Sequence, residues 1–171
     1  MSVRLFALDV DGVLTDGMLY YTSNGEELKA FHAHDGLGLV LLKKLGIEVA
    51  VISGRTSGPL NKRLDDLGIF HRRLGCKDKV VALEELCAEL DITLADVVFM
   101  GDDLIDMAAM EAAAYSVAPA NAAEPVRLVA DHITKKSGGH GAVREACELL
   151  ALRMGYNLEA VARGTKKALV Q

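Results

Sequence analysis

A chain of 171 residues, 51% hydrophobic and 25% charged, has the length and apolar content to bury one sizeable core, which excludes a disordered segment and fits a single domain. Its net charge of −5, with no basic run longer than a pair such as Lys166-Lys167, excludes nucleic acid as the main partner, because binding a phosphate backbone needs clustered Lys and Arg. Cys76, Cys87 and Cys147 show no metal or redox spacing, and no leader pattern or membrane-length apolar run is present, so the expected setting is the cytoplasm, with reduced thiols.

Short Val/Ile/Leu/Phe runs alternate with amphipathic stretches, the pattern of a parallel sheet with crossover helices. Arg4–Val10 is the first predicted strand. Met18–Tyr21 and Glu27–Phe31 flank Thr22-Ser23-Asn24-Gly25-Glu26 and predict a hairpin, since Asn-Gly suits a tight turn between alternating runs. A helix is predicted over Asp35–Leu45, ended by Gly46, then a strand over Glu48–Ile52 that runs into Ser53-Gly54-Arg55. A second helix, from about Ser57 to Leu67, stops at Gly68, with a short strand expected at Ile69–Phe70. Helix Asp78–Leu90 sets Val80, Val81, Leu83, Leu86, Cys87 and Leu90 at apolar positions. Strand Val97–Met100 ends at Gly101-Asp102-Asp103, and helix Leu104–Ala113, strand Tyr115–Val117, helix Glu124–Val129 and strand His132–Thr134 follow. The glycine loop Gly138-Gly139-His140-Gly141 precedes helix Ala142–Met154, and residues from Gly155 read as a tail.

Side chains at i and i+2 of a strand share a face, so Asp9 and Asp11 arrive together at the C-terminal edge of a buried strand, where open α/β sheets place ligands. Adjacent carboxylates repel unless a cation or a shared proton relieves them, so the pair reads as a metal-dependent site with one Asp as nucleophile. Ser53 and Asp102-Asp103 stand at two further strand ends, and Lys79 opens the helix between them. Singly, each has an ordinary explanation: a turn, a helix cap, a solvated face. Their order at successive strand ends gives them weight.

In that order the residues resemble the motifs of the haloacid dehalogenase superfamily of phosphohydrolases. Its DxDG[VT]L[TV] motif matches Asp9–Thr15, its strand-end Ser or Thr matches Ser53, its Lys matches Lys79, and its GDDxxD matches Gly101–Asp106. The resemblance implies a Rossmann-like α/β fold with a doubly wound parallel sheet. It implies that Asp9 attacks phosphorus to give an aspartyl-phosphate, and that Asp11 protonates the leaving alkoxide and then deprotonates water. It implies Mg²⁺ held by Asp9, the backbone carbonyl of Asp11, and Asp102, with phosphoryl oxygens held by Ser53 and Lys79. Asp103 and Asp106 keep two readings, the metal shell through water or the orientation of Lys79, and helix capping is a third for Asp103. Thr15 either orients Asp11 or packs the turn, and Lys77 stands in reserve for Lys79.

The 42 positions from Asp11 to Ser53 hold a hairpin and a helix, and the 23 from Lys79 to Asp102 a helix and a strand, so neither gap has room for a folded cap. A capless site is open to water and poorly selective. The apolar hairpin residues Met18, Leu19, Tyr20, Tyr21, Leu28 and Phe31 are therefore expected to be exposed and to pair with neighbouring subunits. Asp11–Gly17, Tyr21, Asn24–Glu27, Lys29, Phe31, His34-Asp35-Gly36, Ser53–Ser57, Arg63 and Gly138–Glu145 resemble the branch acting on 3-deoxy-D-manno-octulosonate 8-phosphate, across about residues 3–154. That resemblance implies a phosphomonoesterase of lipopolysaccharide precursor synthesis and a homotetramer whose hairpins form a barrel. Its partner would be a small sugar-acid phosphate, not nucleic acid or a membrane.

Gly54, Arg55 and Arg63 would bind the substrate, the guanidinium groups suiting a carboxylate. Arg at position 55 favours the eight-carbon acid, since relatives acting on nine-carbon acids carry Glu there. The rivals are a nine-carbon sialic-acid-type 9-phosphate phosphatase and a non-catalytic partner module of a sugar-nucleotide transferase. Gly138–Gly141 is read as a phosphate nest or as a plain loop before a helix, and the basic stretch Ala162–Lys167 as reaching a neighbouring site or as a frayed end. His71–Leu74 departs from the aromatic-glycine turn usual before the Lys motif, and Asn121 stands where relatives often have Asp.

Overall fold

The computed structural model describes residues 3–25 and 27–165. Strand β1 (Leu5–Leu8) is followed by the short antiparallel pair β2 (Tyr20–Tyr21) and β3 (Glu27–Leu28), then helix α1 (Ala33–Lys44) and strand β4 (Glu48–Ser53). Next come α2 (Gly58–Asp66), β5 (His71–Leu74), α3 (Lys79–Glu89), β6 (Val97–Met100), α4 (Met107–Ala112) and β7 (Tyr115–Ala118). The chain continues through α5 (Glu124–Val129), β8 (His132–Ile133), α6 (Ala142–Arg153) and α7 (Leu158–Ala162). Six strands form one sheet in the order β5-β4-β1-β6-β7-β8, every pairing parallel.

Parallel strands covered on both faces need apolar residues at every position, and the Leu-Phe-Ala-Leu of β1 and Val-Val-Phe-Met of β6 are buried throughout. Alternation splits them between two cores. Phe6, Leu8, Val98 and Met100 pack under α1 and α6 with Leu39, Leu42, Val143 and Leu150. Leu5, Ala7 and Phe99 pack under α3 and α4 with Leu83, Leu86 and Met110. The chain leaves β1 toward β4 and β5, then returns across it to β6, so connections diverge from the ends of β1, β4 and β6 and open a crevice there. Asp78 caps α3, accepting from the N–H groups of Val80 (3.0 Å) and Val81 (3.1 Å), which fixes Lys79 at the first helical position.

Four elements differ from expectation, each for a physical reason. The strand expected at Ile69–Phe70 forms at His71–Leu74. As an edge strand it carries charge: Arg72 pairs with Asp65 at 2.7 Å, and Arg73 pairs with Glu85 at 3.3 Å and with Glu89. The expected helix Leu104–Ala113 begins as a 3₁₀ turn over Leu104–Asp106, because the Asp106 carboxylate folds back onto the N–H groups of Asp102 and Asp103. The stretch read as a tail contains α7, capped by Asn157 and seated by buried Leu158 and Val161 against the core. Among the described residues, hairpin pairing is limited to Tyr20 opposite Leu28 and Tyr21 opposite Glu27, and Phe31 packs against the core instead of lying exposed. Glu26 and Lys166-Lys167 lie outside the described residues. Among the described residues no helix is long and apolar enough to cross a membrane.

Candidate active site

At the end of β1 the Asp9 N–H continues the ladder to Met100 O at 3.0 Å, and Val10 O then accepts from Val13, Leu14 and Thr15, closing a tight turn beyond Asp11. Gly12 in that turn has φ +91°, and a Cβ there would stand 1.9 Å from Asp102 Oδ2, so the close approach of the two motifs requires glycine. The Thr15 hydroxyl accepts from Gly12 and Gly17 N–H groups at 3.3 and 3.2 Å and ties the turn together. Gly138 and Gly139 back the same turn: Gly139 N donates to Val13 O at 3.1 Å, and a Cβ on Gly138 would fall 1.7 Å from Gly12 O. Asn121 Oδ1 accepts from Gly138 N at 2.9 Å, which gives that departure a structural role.

Lys79 is buried, its Nζ 2.9 Å from Asp9 Oδ1 and 2.5 Å from Asp106 Oδ1, while Lys77 is exposed. Asp106 spends its other oxygen on the N–H groups of Asp102 (3.0 Å) and Asp103 (3.2 Å). It therefore orients Lys79, and Asp103 caps the following turn through Leu104 N at 2.8 Å. Asp102 Oδ1 is buried with no hydrogen-bond partner among the described residues.

Carboxylate oxygens of Asp9, Asp102 and Asp106 lie within 4.8 Å of one another. Burial pushes Asp9 up to about 6, with Lys79 pulling the other way. It pushes Asp102 up to about 7, helped by the charges of Asp9 and Asp106. Burial alone would lower Lys79, but Asp9 and Asp106 outweigh it and hold the ammonium charged. Three acids share one ammonium, so the cluster is short of positive charge. The orphaned oxygen of Asp102 and the all-oxygen donor set suit a hard divalent cation held by Asp9 and Asp102.

A cavity of about 220 Å³ opens over these groups, lined by Asp9, Asp11, Gly17, Leu19, Ser53, Gly54, Arg55, Asp102, Asp103 and Ile105. A larger one, about 520 Å³, lies beside α6 and α7, but none of the clustered acids lines it, and chemistry rather than size selects the site. Arg63, expected with Arg55, is not on the smaller cavity's wall. It donates to His32 O at 3.3 Å and sits 5.9 Å from the Phe31 ring, bracing the start of α1. Three hairpin residues had no role in the motif reading: Lys29 pairs with Asp11 and Glu27, and Arg55 donates to the Tyr21 hydroxyl at 2.7 Å. The i, i+2 spacing of Glu27 and Lys29 was the available signal, since it puts both on one face of the hairpin.

A model of haloacid dehalogenase-like hydrolases matches residues 75–145. The 3-deoxy-D-manno-octulosonate 8-phosphate phosphatase of Escherichia coli K12 is 46% identical over 159 residues, covering 93% of this chain and 85% of that protein. The chain belongs to this phosphatase family. Within the family, a crystal structure of the Moraxella catarrhalis phosphatase in complex with magnesium ion, phosphate ion and the KDO molecule is 47% identical, covers 88% of this chain and 86% of that one, and has a TM-score of 0.86. The cobalt-bound form of the Haemophilus influenzae phosphatase is 40% identical over 90% of each chain, with a TM-score of 0.87.

Proposed function

We propose that this chain is a Mg²⁺-dependent phosphomonoesterase that hydrolyses 3-deoxy-D-manno-octulosonate 8-phosphate to the free sugar acid and phosphate, in lipopolysaccharide precursor synthesis. The observation that carries this reading is the cluster of buried Asp9, Lys79 and Asp106 with half-buried Asp102 under the cavity, in a chain of this family. An oxygen of Asp9 attacks phosphorus, the bond from phosphorus to the sugar oxygen breaks, and Asp11 gives its proton to that oxygen as it leaves. Water then attacks the aspartyl-phosphate and loses its proton to Asp11, and the bond to Asp9 breaks to release phosphate. Ser53 and Lys79 hold the phosphoryl oxygens, where charge spreads during transfer. Asp9, Asp102 and the Asp11 carbonyl would hold the Mg²⁺, which when bound screens the phosphate from the attacking carboxylate.

Arg55, on the cavity wall beside Gly54, is assigned the sugar acid's carboxylate. Met18, Leu19, Tyr20, Tyr21 and Leu28 are all exposed on or beside the hairpin, which supports a homotetramer in which hairpins pair and shield neighbouring sites. Three free cysteines support a cytoplasmic setting. The deciding experiment measures phosphate release from eight-carbon and nine-carbon sugar-acid phosphates with and without Mg²⁺. Fastest release from the eight-carbon ester, abolished by EDTA, is expected. A preference for the nine-carbon ester, or no release from either, would sink the reading.

A further inference from the structure

Lys29 lies on the hairpin, off the cavity wall, yet its side chain is only 3% exposed, against 20% for Asp11 beside it. A lysine that deep needs fixed anionic partners, because its ammonium gives up its hydration. It has two. Its Nζ donates to Asp11 Oδ1 and stands 2.9 Å from Glu27 Oε1. Arg55 closes the group from the other side, with Nε 3.8 Å from Asp11 Oδ2, and Nη2 3.6 Å from Glu27 Oε1 and 2.7 Å from the Tyr21 hydroxyl. Two cations and two carboxylates thus tie the hairpin to the carboxylate that must meet the leaving oxygen.

Asp9 needs no such device, since Lys79 grips it on the buried floor of the site. Asp11 stands one turn further out, facing the cavity, where an unrestrained carboxylate would spread over several rotamers and only a fraction would aim at the leaving oxygen. Resting on the phosphatase reading above, we propose that Lys29 is a positioning residue for Asp11. Its ammonium, held by Glu27, keeps the Asp11 carboxylate in the orientation from which the proton passes to the leaving sugar oxygen. Lys29 itself is not on the cavity wall. The hairpin then has an inward task, fixing the proton carrier of its own site, besides any outward one.

The test uses the whole chain with Mg²⁺ and two esters. The sugar-acid phosphate releases an alkoxide that leaves only with a proton, whereas p-nitrophenyl phosphate releases a phenolate that leaves without one. First-turnover rates isolate formation of the aspartyl-phosphate. Lys29→Met is expected to slow the sugar ester about tenfold or more, a share of the roughly 10²–10⁴ that a positioned acid contributes, while slowing the nitrophenyl burst less than about threefold. Lys29→Arg, whose guanidinium can still pair with both carboxylates, should regain most of the loss. Equal fractional slowing of the two esters, no slowing of either, or no recovery with Arg would overturn the proposal. Should Lys29→Met fail to fold, Lys29→Gln gives the same two-ester ratio. A native chain that acts on neither ester defeats the phosphatase reading itself, whereas an active native chain with an unchanged ratio in the variants defeats only the role of Lys29.

Discussion

The floor of the cavity and its rim are held in place by different forces. On the floor, Asp9, Ser53, Lys79 and Asp106 are each 5% exposed or less, stand at or just beyond the ends of the central strands or open a helix, and are bonded to one another or to backbone N–H groups. On the rim, the hairpin has two residues in each strand, and Tyr20, Tyr21 and Leu28 lie open to solvent. Such a short ribbon is marginal alone, so it depends on its ion pairs to the site and on whatever covers its outer face. On the proposed reading the contrast separates two jobs: the sheet positions the reaction, and the hairpin shapes what reaches it.

The largest effect should come from the floor. Asp9→Asn removes the attacking oxygen's charge and is expected to lower kcat on the order of 10⁴-fold for every phosphate ester, as measured by phosphate release. A rate within about tenfold of the native chain would remove Asp9 as nucleophile and with it the contrast drawn above.

Asp102 comes next, and its prediction is double-edged. Asp102→Asn should lower activity by about 10²-fold or more and abolish the rise in Tm on adding Mg²⁺. In EDTA at pH 8 the same variant should be more stable than the native chain, by about 1–2 kcal/mol after allowance for partial exposure, or a few degrees in Tm. The sign follows from burial, which holds Asp102 at about 7 and Asp9 at about 6, both above the 3.8 of an unfolded aspartate. Stability from such groups is fully present below the unfolded value and is lost as pH rises through the folded ones. The metal-free native chain should therefore lose Tm between about pH 4 and 7, and Mg²⁺ should restore more at the upper end. A flat Tm profile in EDTA would break the account of the acid cluster.

At the junction of floor and rim stands Arg55. Arg55→Ala should raise KM for the sugar-acid phosphate by about tenfold to a hundredfold, with a much smaller change for p-nitrophenyl phosphate, which lacks a carboxylate. Equal changes for the two esters would move substrate choice away from Arg55.

How much of this could be read beforehand follows the same division. β1, β4 and β6 are legible because a strand buried on both faces leaves an unbroken apolar run, and the acids at their ends stand at fixed offsets from those runs. β5 lies two residues beyond the apolar Ile69–Phe70, because an edge strand tolerates Arg72 and Arg73 and apolar content does not mark it. Leu158 and Val161 sit in too short a helix to show periodicity, so α7 read as tail. Lys29 meets Asp11 from 18 positions away, and Arg63 turns to His32 instead of the cavity. Both outcomes depend on tertiary placement, to which local pattern is blind.

The smallest expected effect on chemistry tests the rim alone. Leu28 is 57% exposed, pairs with Tyr20 across the hairpin and does not line the cavity. Leu28→Asp places a charge on the face assigned to subunit pairing, where burying it without a partner would cost several kcal/mol, so sedimentation should report a smaller assembly. The floor should not register the change: the Mg²⁺-induced rise in Tm stays, and release from p-nitrophenyl phosphate falls by no more than about threefold. The sugar-acid phosphate should lose more, about fivefold in kcat/KM, because the site it enters has lost the neighbour that narrows it. An unchanged assembly would show that the apolar face serves something other than pairing. A collapse of both esters together would show that rim and floor are one cooperative unit, with the hairpin's hold on Asp11 as the link between them.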